Sequence, residues 1–177
     1  MEVSNELGNK IIKGDREAID TVVDTFCDKA YSFSLYFFGD RGLAEEAVKK
    51  SFSAFFANAR TLLEESSVPA AYFALLKGWC EKKHDEIKKE NGEFFYNLES
   101  FSESSEMSLA LVKTISELNK KQRSLFLLAD LLCLKRRVLC EIYDVEDGAM
   151  AEAVSICRGK VIEKLSSLGD FNMKGGN

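Results

Sequence analysis

The chain has 177 residues, 46% of them hydrophobic, which is enough apolar side chain for one or two compact units and excludes a disordered chain. One proline, 11 glycines and long stretches of helical apolar spacing exclude the strand-rich classes, which need far more turn punctuation; an all-α protein is expected. Its 29 acidic and 24 basic residues give a formal charge of −5, which excludes indiscriminate adhesion to nucleic acid or anionic membrane and confines any nucleic-acid contact to a local patch.

The opening "MEVSNELGNK" has neither the basic nor the apolar region of a signal peptide. No later apolar run approaches the roughly 20 residues of a spanning helix, so a cytoplasmic location without membrane contact is expected. The first unit, 8–92, gathers pace at "GDREAID", where Asp15 can cap a helix and Glu17 suits its first turn. Ile19, Val22, Phe26, Ala30, Phe33 and Phe37 recur at helical spacing and predict one buried side. Gly39 stops this helix and Asp40 caps the next, whose Ala44, Val48, Phe52, Phe55 and Ala59 form a second stripe, so two antiparallel helices are expected. After the polar break "EESSV", Pro69 suits the start of a third helix running through Tyr72, Leu76, Trp79, Lys83 and Ile87 to Gly92. Its second half, "EKKHDEIKKE", has lost most of its apolar residues and is expected to face solvent or a partner.

The segment 93–108, "EFFYNLESFSESSEMS", is acidic and serine-rich and reads as a linker between two domains. Phe94, Phe95, Tyr96 and Phe101 are unusual for a free linker, so part of it should pack against a domain or a partner. The second unit, 109–168, opens with Leu109, Val112, Ile115 and Leu118 on a short helix, and Asn119 stands three residues before Gln122 as in a capping box. The next helix holds "RSLFLLADLL", and "KRRVLCEIY" forms a short one after it. After the turn "DVED", "GAMAEAVSICRGKVIEKL" forms the last helix, with Met150, Val154, Cys157, Val161 and Leu165 as its buried stripe. Short helix, tight turn and longer helix are the elements of a helix-turn-helix. Residues 169–177 are expected to form a flexible tail.

Cys27, Cys80, Cys133, Cys140 and Cys157 are odd in number and widely spread, which suits free thiols on apolar faces. Cys80 and His84, at i and i+4, could present two ligands on one face, but no second pair stands nearby and no metal is expected. With His84 the sole histidine and no glycine-rich phosphate loop, nothing places a nucleophile beside a base, so neither an enzyme nor a cofactor is implied.

Two stretches resemble one family. Residues 14–56 resemble region two of extracytoplasmic-function sigma factors, whose Ala-Glu-Asp-x-x-Gln-x-x-Phe motif is matched by Ala44, Glu45, Glu46, Lys49 and Phe52, with lysine in place of glutamine. Residues 118–165 resemble region four, with Leu118, Arg123, Phe126, Leu127, Leu128, Gly148, Val154 and Leu165 where the family has similar residues. Asn119 replaces the family's proline, and Val138 to Cys140 replace its Glu-Ile-Ala. The resemblance implies two helical domains, a region-two three-helix unit and a region-four helix-turn-helix, joined by the acidic linker. It further implies a transcription initiation protein that binds core RNA polymerase and promoter DNA, with an anti-sigma factor as a further partner.

By the same resemblance Glu45, Glu46, Lys49 and Phe52 lie on the face that docks the polymerase, although Phe52 reads equally well as core. The DNA-reading positions depart from the family. Its Thr-Val-Lys-Ser-Arg becomes Ala149, Met150, Ala151, Glu152 and Ala153, which supply none of the paired hydrogen bonds by which arginine and lysine read guanine. Lys135, Arg136, Arg137, Arg158 and Lys160 remain as candidate phosphate contacts, or as a solvated charged face. In region two Trp79, Lys83 and Glu86 replace asparagine, aspartate and arginine, and Trp79 is either a stacking platform for an extruded base or core. The alternative to an initiation factor is therefore a degenerate sigma fold that binds polymerase or an anti-sigma partner without reading a promoter.

Overall fold

A short helix, α1 (Asn5–Ile12), comes before Asp15, whose backbone is extended and whose carboxylate accepts from Ala18 N at 2.9 Å. That bond satisfies one of the free N–H groups opening α2 (Arg16–Phe38). Gly39, at φ 68°, ends α2 by donating its N–H to Leu35 O, and Asp40 then caps α3 (Arg41–Ala57) by accepting from Leu43 N at 2.7 Å. A short connecting helix, α4 (Ala59–Glu65), leads to α5 (Val68–Asn91), with Pro69 in its first turn. The computed structural model describes residues 5–94, 96–101 and 105–168.

A 3₁₀ turn at Leu98–Phe101 is followed by α6 (Glu106–Ser116) and α7 (Lys120–Phe126), the latter capped by Asn119, whose side chain accepts from Gln122 N at 3.0 Å. At Leu127–Leu131 the helix widens into a π turn, with Leu132 N donating to Leu127 O at 2.9 Å. Two further helices, α8 (Arg136–Tyr143) and α9 (Asp147–Leu168), complete an all-α fold with no strand among the described residues. No helix among them is long and apolar enough to cross a membrane.

Most of the predicted stripe residues are buried: Val22, Phe26, Ala30, Phe33 and Phe37 on α2, Ala44 and Phe55 on α3, and Met150, Val154, Cys157 and Val161 on α9; Ile19, Val48, Phe52 and Leu165 are half-buried, and Ala59 is buried on α4. Of these, Val22, Phe26, Ala30, Phe33, Phe37, Phe55, Met150, Val154 and Cys157 belong to one contiguous core that runs from α2 and α5 into the C-terminal helices, where Ile115, Leu127, Leu128 and Leu139 continue it. Helix α5 packs on α7 and α8, and α2 on α6 and the π turn.

The aromatics of the 93–108 segment pack on the first group of helices. Phe94 lies 6.0 Å from the Phe38 ring and 4.5 Å from His84, Tyr96 Oη donates to Tyr36 O at 2.8 Å, and Phe101 is buried 5.0 Å from Tyr36. Phe95, residues 102–104 and the expected tail at 169–177 lie outside the described residues.

Candidate functional site

The last two helices hold the candidate DNA face. Helix α8 ends at Asp144, a left-handed residue at φ 51°, and after the connection Asp144–Glu146 the chain enters α9. This is the order and turn length of a helix-turn-helix. The buried stripe fixes α9 so that Ala149 and Glu152 face solvent and Ala151 and Ala153 are half-buried. None of these side chains carries a donor.

Lys135, Arg136, Arg137, Arg158 and Lys160 are all exposed, but they do not form one free basic patch. Arg136 Nε donates to Asp147 Oδ1 at 2.6 Å, Arg158 Nε to Asp130 Oδ1 at 2.7 Å, and Arg137 lies 3.4 Å from Glu141. Lys135 and Lys160 are in no ion pair among the described residues. Exposed pairs are worth about 0–1 kcal/mol and can exchange for phosphate, but each carboxylate beside its arginine cancels the field that would draw DNA in. Asp144, Glu146 and Glu152, all exposed, add further negative charge around the entry to α9. A cleft of about 280 Å³ lies between α8, α9 and the π turn, floored by Leu134, Leu139, Ala151 and Val154, with Arg136 and Arg158 in its lining.

The residues of α3 separate differently. Glu45 and Lys49 are exposed and pair with each other at 3.6 Å, while Glu46 is half-buried. The half-buried Phe52 ring lies 4.5 Å from Tyr72 and 6.0 Å from Phe56, which makes it the edge of the core with part of its face still open. On α5, Trp79 stands edge-on to Phe38 at 6.0 Å and is half-buried, as is Lys83.

The charged half of α5 does not simply project. Glu81 Oε1 accepts from Ser124 Oγ at 2.7 Å, Asp85 pairs with Lys120, and His84 sits between the Phe37 and Phe94 rings. Part of this face is thus covered by the chain's own C-terminal helices, through side chains spaced one turn apart. Burial and the nearby Arg123 charge both hold His84 below the ordinary histidine pKa, against the pull of Asp85.

Sequence reasoning noted Arg123 only as a family position, and its role is structural and central. It is 4% exposed and donates to Phe37 O at 2.8 Å, Ile115 O at 3.1 Å, Ser116 O at 2.6 Å and Leu118 O at 3.1 Å. The Phe37 and Tyr96 rings each lie 5.5 Å from its guanidinium. Burial lowers its pKa from 12.5 to about 10, with Tyr96 pulling the other way. The available signal was an arginine at the head of the mostly apolar run "RSLFLLADLL".

Cys80 is buried 3.9 Å from Ser34 Oγ, and burial raises its thiol pKa well above the ordinary range, as burial also raises that of Cys157. Among the described residues no three histidine, cysteine or carboxylate side chains converge as a metal site would need. No protein-family model matches the chain, and no curated protein matches it.

Proposed function

We propose that this chain is a sigma-like helical protein that works by protein contact, engaging core RNA polymerase or an anti-sigma partner without reading a promoter. The observation that carries this reading is the state of the helix-turn-helix face. The first turns of α9 offer Ala149, Ala151, Glu152 and Ala153, and Arg136, Arg137 and Arg158 are already paired with carboxylates of the same chain. Sequence choice needs base-edge donors, and phosphate contacts alone confer none. Glu45, Glu46, Lys49 and Phe52 on α3 are the residues assigned to the polymerase contact, with the open face of Phe52 as its apolar anchor. In this reading the chain acts in the cytoplasm by binding alone, with no cofactor and no reaction of its own.

The second reading is an initiation factor that directs polymerase to a promoter, favoured by the exposed Lys135 and Lys160, which remain free to take phosphates, with Trp79 and Lys83 as the region-two contacts. Copurification with core polymerase, followed by reconstituted transcription with start-site mapping, separates the two. Binding without defined starts supports the first reading, and promoter-dependent starts support the second. Failure to bind polymerase at all, with Phe52→Ala also leaving every interaction unchanged, removes both.

A further inference from the structure

The helix-turn-helix is tied to the first group of helices by a small set of polar contacts, and most of these come from α8. Glu141 Oε2 accepts the backbone N–H of Ser67 at 2.9 Å. Ser67 is the N-cap residue of the 24-residue α5, and its own side chain makes no capping bond. A carboxylate from α8 therefore supplies in trans what α5 lacks at its positive end. Further along α5, Lys77 Nζ lies 4.7 Å from the ring centroid of Tyr143, and Lys77 also pairs with Glu81 at 3.6 Å, with side chains only 19% and 17% exposed. Water can replace each of these contacts when they part.

Helix α8 itself is short. It has eight residues, Lys135 gives it no side-chain cap, Leu139 is its one fully buried side chain, and Cys140, Ile142 and Tyr143 pack half-buried against the core. An eight-residue helix has little stability of its own and depends on such contacts to stay formed. Arg123, buried and bonded to four carbonyls, is built for permanence; Glu141, with a side chain 24% exposed, is not.

We propose that α8 is a releasable latch, closed by the Glu141 carboxylate on the N-terminus of α5, and that its opening uncovers the Lys77 face of α5 while the α2–α3 core stays intact. The closed latch withholds that face and holds the helix-turn-helix in one orientation. This inference does not rest on the identity of any partner.

The test compares the full chain with Glu141→Gln and Tyr143→Phe. Amide hydrogen exchange follows α8 and the α2–α3 core, and amine acetylation read by mass spectrometry follows Lys77, with Lys82, 80% exposed at its side chain, as an internal reference. Loss of a charge-assisted bond at a helix end should speed α8 exchange and Lys77 acetylation by about tenfold in Glu141→Gln. Lys82 and the amides of α2 and α3 should not change, and Tyr143→Phe, which keeps the ring beside Lys77 and removes a buried hydroxyl that has no partner among the described residues, should exchange no faster than the parent. Unchanged α8 exchange in Glu141→Gln overturns the proposal. So does acceleration of α2–α3 in step with α8, which would mean that the chain opens only as one cooperative unit.

Discussion

Gly39 and Gly14 both sit in the left-handed region, at φ 68° and 74°, and differ in what surrounds them. An alanine at either position has the same backbone penalty, about 1–2 kcal/mol. At Gly14 nothing among the described atoms lies within 4 Å of the added methyl. At Gly39 the methyl would stand 2.7 Å from two ring carbons of Tyr96 and 3.0 Å from Asn97 N. The ring cannot simply swing away. Its hydroxyl donates to Tyr36 O at 2.8 Å, its face lies beside Arg123, and Ser100 Oγ just beyond it donates to Gly39 O at 2.7 Å. Shifting the segment forfeits those two hydrogen bonds, at about 1 kcal/mol each. Gly39→Ala should therefore cost roughly 3–4 kcal/mol, against about 1–2 kcal/mol for Gly14→Ala. Equilibrium urea unfolding measures both, provided the denaturant slope is unchanged. In a Tyr96→Ala background the excess at Gly39 should disappear, giving a coupling of about 2 kcal/mol in the double-mutant cycle. Equal costs at the two glycines, or no coupling to Tyr96, would refute the docking of the 96–101 segment on the end of α2.

Arg123→Met removes the donors to four carbonyls in or beside the ends of α2 and α6 and should lower unfolding stability by roughly 3 kcal/mol; Arg123→Lys should recover only part of this, because a point ammonium cannot fork between them. His84 resists protonation in the fold through burial and the Arg123 charge, so between its folded pKa and the unfolded value near 6.5 the unfolded chain binds more protons. Its contribution is complete above pH 6.5 and is lost as pH falls through the folded pKa; His84→Phe should flatten that part of the stability profile, and an unaltered slope would place the acid sensitivity elsewhere. Ala149→Lys with Glu152→Arg, both on exposed positions of α9, should raise DNA affinity and steepen its log–log salt dependence by about 0.9 for each phosphate gained, without lowering stability. Unchanged binding across the salt titration would show that this face never meets DNA.

What the sequence made legible is what depends on near neighbours. Asp15, Asp40 and Asn119 each bond an amide three residues on, so composition and spacing alone located the starts of α2, α3 and α7. The stripes on α2 and α9 likewise follow from a 3.6-residue period. Helices α1 and α4 went unseen because they are short, eight and seven residues, and α4 opens without a side-chain cap of the kind that marks α2, α3 and α7. The joint between the two groups of helices was also hidden. Periodicity says which face of α5 is apolar; it cannot say that Ser124, Lys120 and Tyr143 will cover the polar side. The basic cluster was legible as charge, but its neutralising partner for Arg158 is Asp130, 28 residues away, which only the folded chain brings within reach.

Helices α8 and α9 show why scaffold and surface chemistry can change independently. Met150, Val154, Cys157 and Val161 recur at intervals of four, three and four residues, and this inner stripe alone fixes where α9 lies. Ala149 and Glu152 point outward from the same turns, so their identity alters surface chemistry while leaving the buried contacts untouched. A helix can thus keep its place in the fold with no base-edge donor upon it. The same separation runs through the charges. Arg136, Arg158, Lys77 and Glu141 carry the charge types that bind nucleic acid or a partner, yet in the folded chain each is engaged by another part of the same molecule. Among the candidate DNA contacts on this face, Lys135 and Lys160 are exposed and in no ion pair among the described residues. Two lysines can hold a phosphate backbone but cannot choose a sequence.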